Sequence, residues 1–387
     1  MNIFLLLILS FVAFGLNAKV PDTAEKLCKF KKGDGLNNLF ADSGFTEKVR
    51  PVVESFLQDY GKCLSVHHVE KENFEFKYEK ATLPSRIYFD ERGKISGIWY
   101  GAPLFSKVSK KDLEANLKSL SGQASLLIID EKEQELFSMN ADVPLALGST
   151  FKLYILKELM NRIDRGELEW SDTLKLQEKY LSLPSGITQD WPVDAPVTLH
   201  TLATLMISKS DNTATDHLLF FLGREKIEKL TARNVPFIST LEMFKLKGAL
   251  SEQQTSEYIK ATISEKKKIL SDLEKIPKEK VDFSSIKPKL IDQIEWFATT
   301  KEICSLIFSM KGLNILSINP GLATKENWNY VGYKGGSEPG VIQFTHLLQS
   351  KNDQKWYCVS GSWNDPAKNV DDDKFSTFVS MGFSLIQ

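Results

Sequence analysis

The chain has 387 residues, with 49 Lys and Arg against 50 Asp and Glu, so its formal net charge is −1. That balance leaves no surplus of positive charge for a polyanion such as DNA as the main partner. With 42% hydrophobic and 26% charged residues the composition is globular, which excludes wholesale disorder, and the length predicts two or three domains.

One apolar run bears on a membrane, and it lies at the very start, so a multi-span membrane protein is excluded. Ile3 to Gly15 is apolar and is followed by Leu16, Asn17 and Ala18. A short run ending in small residues reads as a secretory signal peptide, residues 1–18, cleaved after Ala18. An uncleaved N-terminal anchor is the other reading. Both place the folded body outside the cytoplasm, periplasmic or secreted.

Residues 19–111 read as a small α+β domain. From Leu39 to Tyr60 apolar residues recur at Phe45, Val49, Val52, Val53, Phe56 and Tyr60 with helical spacing, and Pro51 predicts that part of this stretch is a loop or first turn. Phe74, Phe76 and Tyr78 then alternate with Glu75 and Lys77. Ile87 to Phe89 leads through Asp90-Glu91-Arg92-Gly93 into Ile95, Ile98 and Trp99, a hairpin signature. A helix packed on a small antiparallel sheet is the expected result. His67-His68 has no neighbouring ligand partner and reads as surface strand rather than a metal site. The polar stretch Pro103 to Lys111 is the expected boundary.

Residues 112–387 form the larger domain. A helix is predicted near Leu113 to Leu120, strands at Ala124 to Asp130 and Glu135 to Met139, and helices near Phe151 to Arg165 and Thr198 to Ser208. Strands return near Gly340 to Leu348 and Trp356 to Ser362, with a last helix from about Asp373 to Leu385. Strands at both ends with helices between predict an antiparallel sheet whose first and last strands are neighbours. Ser264 to Lys289 holds eight Lys and five acidic residues; it reads as a solvated helix and loop, with a polyanion-facing surface as the other reading. Cys28, Cys63, Cys304 and Cys358 contain no Cys-x-x-Cys pair. Cys28–Cys63 and Cys304–Cys358 bridges would keep each disulfide inside one domain; four unpaired buried thiols are the alternative.

Three short segments carry chemistry. Ser149-Thr150-Phe151-Lys152 opens an amphipathic helix, so Ser149 and Lys152 share a face, and the helix N-terminus favours negative charge on the serine oxygen. Serine is a poor nucleophile until a base takes its proton, and Lys serves as that base only if burial or nearby cations lower its pKa. Ser210-Asp211-Asn212 follows 61 residues after Ser149 and offers a second hydroxyl and an amide. Lys334-Gly335-Gly336, expected at the start of a strand, offers a cation beside a backbone edge that a substrate can approach closely. No Gly-x-Ser-x-Gly elbow occurs, so an α/β-hydrolase triad has no support.

Together and in this order, the segments resemble the Ser-x-x-Lys, Ser-Asp-Asn and Lys-Thr-Gly set of class A β-lactamases and penicillin-binding proteins. The resemblance runs from about Leu113 to Gln387. It implies an α+β, β-lactamase-like fold: an antiparallel sheet flanked by helices, with a small N-terminal α+β domain before it. Gly332-Tyr333-Lys334-Gly335-Gly336-Ser337-Glu338-Pro339-Gly340 and the segment Pro236 to Lys247 are similar to a finer subgroup. Its members carry an N-terminal cystatin- or steroid-isomerase-like domain; one is encoded with clavulanic acid biosynthesis enzymes, and others are actinobacterial envelope proteins.

The resemblance implies roles for individual residues. Ser149 is the acyl-accepting nucleophile, Lys152 its base, and Ser210 the relay to the leaving group. Asn212 holds substrate and Lys152, and Lys334 binds an anionic group beside Gly335 and Gly336. The backbone N–H groups of Ser149 and Ser337 form the oxyanion hole. No metal or organic cofactor is needed. Expected partners are a β-lactam, an ester or a cell-wall peptide in the cell envelope. Two departures bear on activity. Gly335 replaces a Thr or Ser hydroxyl that commonly holds the substrate carboxylate. The Glu-x-x-Leu-Asn string that supplies the deacylating base is missing between Asn212 and Lys334, with Glu242 as the substitute to examine. The reading is therefore a serine hydrolase with weak β-lactam turnover, against a non-hydrolytic binder of cell-wall peptides or β-lactams.

Overall fold

The computed structural model of the protein describes residues 21–36, 38–101, 103–105, 108–282 and 288–386. The candidate export signal at residues 1–18 lies outside them. The chain divides into two compact units, the first ending at Pro103 and the second beginning at Leu104. No helix of the described residues is long and apolar enough to cross a membrane.

The first unit holds helices α1 (Asp22–Cys28) and α2 (Ser43–Tyr60) and strands β1 (Cys63–Glu70), β2 (Asn73–Tyr78), β3 (Ala81–Phe89) and β4 (Ile95–Tyr100). The strands pair antiparallel in the order β1-β2-β3-β4. Phe74, Phe76 and Tyr78 are buried on one face of β2, as the alternation requires. The Asp42 carboxylate accepts from Phe45 N at 2.8 Å and caps α2. Contrary to the expected break, α2 runs through Pro51 without interruption. Packing outweighs the lost backbone bond: Val49, Val53 and Tyr60 are buried, and Phe56 meets Tyr78 and Tyr100 edge-on. His67 and His68 lie on β1, their ring nitrogens engaged by Ser65 Oγ and Lys71 O. Cys28 at the end of α1 is bridged to Cys63 at the start of β1.

The second unit is built on five antiparallel strands. β5 (Gln123–Asp130), β6 (Glu135–Met139), β7 (Trp328–Glu338), β8 (Val341–Ser350) and β9 (Trp356–Asn364) lie in the order β7-β8-β9-β5-β6. The first strand therefore sits beside the last, with Tyr357 opposite Asp130 and Asn364 opposite Gln123. Every β5 residue after Gln123 is buried. Leu127 and Ile129 join the core on one face, while Leu126 and Ile128 join the core on the other, which is the period-two signature of a strand covered on both sides. Helices α3 (Lys110–Lys118) and α11 (Asp372–Phe383) fill the second face through Leu113, Leu117, Phe375 and Val379.

The first face carries α4 (Lys152–Asp164), α5 (Leu199–Ser208), α6 (Asn212–Leu222), α7 (Thr240–Gly248), α8 (Glu252–Lys260), α9 (Ile263–Leu273) and α10 (Thr300–Phe308). Ile155, Leu159, Leu202, Met206, Leu218 and Ile303 are the centre of its core. The first part of the lysine-rich stretch forms α9, anchored by Leu270 and Leu273, with Lys267 and Lys268 exposed. α10 is tied to the sheet by Cys304–Cys358, closing a separation of 54 residues.

Both bridges match the pairing that keeps each within one domain. Removing the second with Cys304→Ala and Cys358→Ala will lower stability by about 2–4 kcal/mol, since the unfolded chain loses a long-loop constraint. Urea unfolding midpoints and non-reducing peptide maps check this; an unchanged midpoint contradicts it.

Candidate active site

The three motif segments converge at one end of the second unit's sheet. Ser149 lies in the short turn Gly148–Phe151, which runs directly into α4. The turn is held from three sides. Leu147 N donates to Trp296 O at 2.9 Å, the Phe151 ring stacks on Trp296 at 3.6 Å, and Thr150 Oγ1 donates to the buried Gln343 side chain. Gly148 has φ +47, a left-handed conformation that suits glycine.

Lys152 is completely buried one turn after Ser149. Its Nζ lies 3.2 Å from the hydroxyls of both Ser149 and Ser210, 2.6 Å from Ser210 O and 2.7 Å from Asn212 Oδ1. The two short contacts go to pure acceptors and use two N–H bonds. In a neutral amine the lone pair is then left for a serine hydroxyl. Burial, and next the charge of Lys334, hold Lys152 well below the usual lysine range; Asp216 and Asp211 pull the other way. Asp216, in the second turn of α6, is itself pushed up to about 7 by burial, against the backbone donors Leu241 and Thr240.

Ser210 has φ +54, rare for a residue with a side chain. Its surroundings hold it there. Ser185 Oγ donates to Ser210 O at 2.7 Å. The buried Asp211 carboxylate caps α6 through Ala214 N and accepts from Ile187 N and Thr188 N at 2.7 and 2.9 Å. Asn212 Nδ2 donates to Leu183 O at 3.0 Å, which fixes the amide with its oxygen towards Lys152.

Lys334 does not open a strand, as expected, but lies within the body of β7. Asn327, Asn329 and Gly332 disguise the strand's beginning in the sequence, while Trp328 and Val331 anchor it in the core. Lys334 Nζ donates to Ser210 Oγ at 3.1 Å and to Gly335 O. Burial lowers it to about 7. A Cβ on Gly336 would overlap Leu147 O and Ser149 N, and one on Gly148 would stand 3.0 Å from Ser337 N. The backbone of β7 thus runs in contact with the nucleophile's turn and brings the Ser149 and Ser337 N–H groups to one place. Ser337 is exposed.

Glu242 is committed elsewhere. One oxygen accepts from Ser239 N at 2.6 Å in the α7 capping box and the other from Arg224 Nη2 at 2.7 Å. Sequence reasoning missed a buried network beside the site. Lys247 Nζ donates to Glu295 Oε1 at 2.7 Å and to Glu338 Oε1 at 2.8 Å. Burial and then the neighbouring Glu295 raise Glu338 well above the carboxylate range.

Residues 108–274 match the model of the β-lactamase enzyme family. Among solved structures the chain is similar to a β-lactamase from Sphaerobacter thermophilus, with 17% identity and a TM-score of 0.50 over 72% of this chain and 97% of that one. The second unit has a β-lactamase-like fold. A β-lactamase from Desulfarculus baarsii matches at 15% identity and a TM-score of 0.49, over 71% of this chain and 97% of that one. PBP-A matches at 16% and 0.46, over 71% of this chain and 95% of that one. No curated protein sequence matches the chain.

Two buried lysines should respond oppositely to removal. Lys334 faces no carboxylate in an ion pair among the described residues, and its folded value of about 7 is below its ordinary 10.5. The unfolded chain therefore binds the extra proton between those limits. The stability linked to this group is present above about 10.5 and is lost as pH falls through 7. Lys334→Met should be more stable than wild type at pH 7, on the order of 1–4 kcal/mol, with a shallower rise of stability towards pH 10. Lys247→Met strands two carboxylates and should cost about 3–5 kcal/mol, partly recovered on acidification. Urea titrations between pH 5 and pH 10 read both; equal signs for the two variants contradict the assignment.

Proposed function

We propose that the protein is an exported serine hydrolase that forms an acyl-enzyme on Ser149. The observation that carries this reading is the buried Lys152 amine, 3.2 Å from Ser149 Oγ with its N–H bonds directed at Ser210 O and Asn212 Oδ1. A desolvated amine is a base at neutral pH. Ser149 Oγ–H passes its proton to Lys152 Nζ as Oγ bonds to the substrate carbonyl carbon. The carbonyl oxygen becomes the oxyanion and is met by the Ser149 and Ser337 N–H groups. The proton travels from Lys152 through Ser210 Oγ, 3.2 Å away, to the leaving amine or alkoxide as its bond to carbon breaks. An ester on Ser149 remains.

Release of that ester needs a base that orients water. Both oxygens of Glu242 are engaged in a cap and an ion pair, and Lys152 is enclosed. Deacylation is therefore the slow step, and β-lactam turnover is weak. Strained β-lactams, small esters and cell-wall peptides are the substrate classes. The same slow release supports the binding-module reading, because a long-lived acyl-enzyme behaves as a receptor. The apolar N-terminal run and the two disulfides support export. A helix-on-sheet N-terminal unit supports membership of the subgroup with a cystatin- or steroid-isomerase-like domain.

A fluorophosphonate and a fluorescent penicillin should both label Ser149 in wild type and leave Ser149→Ala unlabelled by intact mass. With a chromogenic cephalosporin, a burst should precede slow turnover, roughly 10²–10⁴ below that of an enzyme with a deacylating base. Equal labelling of both proteins, or fast turnover without an accumulating adduct, overturns the reading.

A further inference from the structure

The Ser149 and Ser337 N–H groups come from segments far apart in the chain, and the support of each passes next to one lysine. Glu338 follows Ser337 and is the last residue of β7. It shares a strand face with Gly336, the face that meets the nucleophile's turn, where a Cβ on Gly336 would overlap Ser149 N. Glu295 stands directly before Trp296, which accepts from Leu147 N at 2.9 Å and stacks on Phe151. Lys247 Nζ donates to Glu295 Oε1 at 2.7 Å and to the two Glu338 oxygens at 2.8 and 3.1 Å. One amine therefore grips both the strand end behind Ser337 and the segment that holds the Ser149 turn.

The helix that carries this lysine is itself fixed. Lys247 lies in the last turn of α7. At the first turn, Thr240 N and Leu241 N donate to the Asp216 carboxylate of α6 at 2.8 and 3.0 Å, and Arg224 binds Glu242 at 2.7 Å. By contrast, β7 ends the order of its sheet, so only β8 pairs with it among the described residues. The Glu295 side chain has no exposed surface and that of Lys247 only 10%, so the cluster is little screened. Burial pulls Lys247 down, but the two carboxyl groups outweigh it and keep the amine charged. Burial and then Glu295 favour a proton on Glu338. Its tie to Lys247 is then a carbonyl oxygen accepting from an ammonium, which an amide can reproduce. Oxyanion-hole donors act only within about 2.7–3.1 Å of the developing charge, so their spacing bears directly on rate.

We propose that Lys247 and Glu338 are positioning residues, and that the bond between them sets the spacing of the Ser149 and Ser337 N–H groups and with it the limiting rate of acylation. This deepens the acyl-enzyme reading and rests on it. Neither side chain touches substrate; both act through the backbone of β7 and the nucleophile's turn.

The probe is the phenyl ester of phenylacetylglycine with carbon-13 at its ester carbonyl. Ser149 Oγ displaces phenol, and the labelled carbonyl stays as the ester on Ser149. Intact mass follows acylation across ester concentrations, and infrared spectroscopy reads the labelled carbonyl band in the adduct. Hydrogen bonds to that oxygen weaken the C=O bond and lower the band. Glu338→Met keeps the volume, leaves Lys247 on Glu295 and removes the acceptor, whereas Glu338→Gln keeps a carbonyl oxygen there. The Met variant should acylate about tenfold to hundredfold more slowly at saturation, with an unchanged half-saturating concentration and the band at higher frequency. The Gln variant should match wild type in all three. Lys247→Met, measured below its unfolding midpoint, should move rate and band in the same direction, and it decides the matter if thermal unfolding shows that Glu338→Met does not fold. Wild-type rate and band in the Met variants overturn the proposal. So does a Gln variant that falls with them, or a loss confined to the half-saturating concentration. In those cases fluorophosphonate labelling of wild-type Ser149 persists; its absence removes the acyl-enzyme reading itself.

Discussion

The burial of one amine governs the site. Lys152 has no exposed surface and no carboxylate within hydrogen-bond reach among the described residues. An ammonium in such a place would be costly, so the neutral form is favoured. Its neighbours serve that condition. Asn212 and Ser210 O take its N–H bonds, Asp211 and Ser185 hold Ser210 in a left-handed conformation, and Lys334 places a second amine across the Ser210 hydroxyl, whose charge further disfavours a proton on Lys152. Each arrangement costs stability locally. The surrounding core of α4, α5 and α6, with Leu156, Leu202 and Leu218 fully buried, offsets that cost.

The sheet brings the parts together. Ser149 comes from the turn after β6, Ser210 from the loop between α5 and α6, and Lys334 from a strand far along the chain. β7 can touch the nucleophile's turn because Gly336 has no side chain to keep the backbones apart. The antiparallel register places Lys334 opposite Thr345 and Gly335 opposite Phe344, and β9 then joins β8 to β5. A register slip of one residue on β7 would turn Lys334 away from Ser210 and bring Gly335 to the crowded side.

Much of this was legible in the sequence because it rests on local periodicity or on residue type. β5 is a continuous apolar run, and it is buried on both faces. α4 and α5 fall within a few residues of their predicted limits. Ser149, Lys152, Ser210, Asn212 and Lys334 meet as their motifs imply. What was not legible depends on tertiary contact. Pro51 lies inside a helix because aromatic packing in the first unit overrides its preference. Lys247 finds Glu295 and Glu338 at sequence separations of 48 and 91, where no pattern announces a pairing.

The same burial separates the two halves of the chemistry. On the proposed reading, burial keeps the Lys152 amine neutral and so free to take the Ser149 proton, and excluding water also strengthens the oxyanion contacts. Hydrolysis of the resulting ester needs the opposite, a water molecule and a second base placed against the acyl carbon. The acidic side chains near the site are otherwise engaged: Asp211 in a cap, Asp216 against the start of α7, and Glu242 in a capping box. Glu295 and Glu338 share one lysine, and burial favours a proton on Glu338. If Ser149 is the acyl acceptor we propose, an arrangement that favours forming an ester there is, for the same physical reason, poor at releasing it.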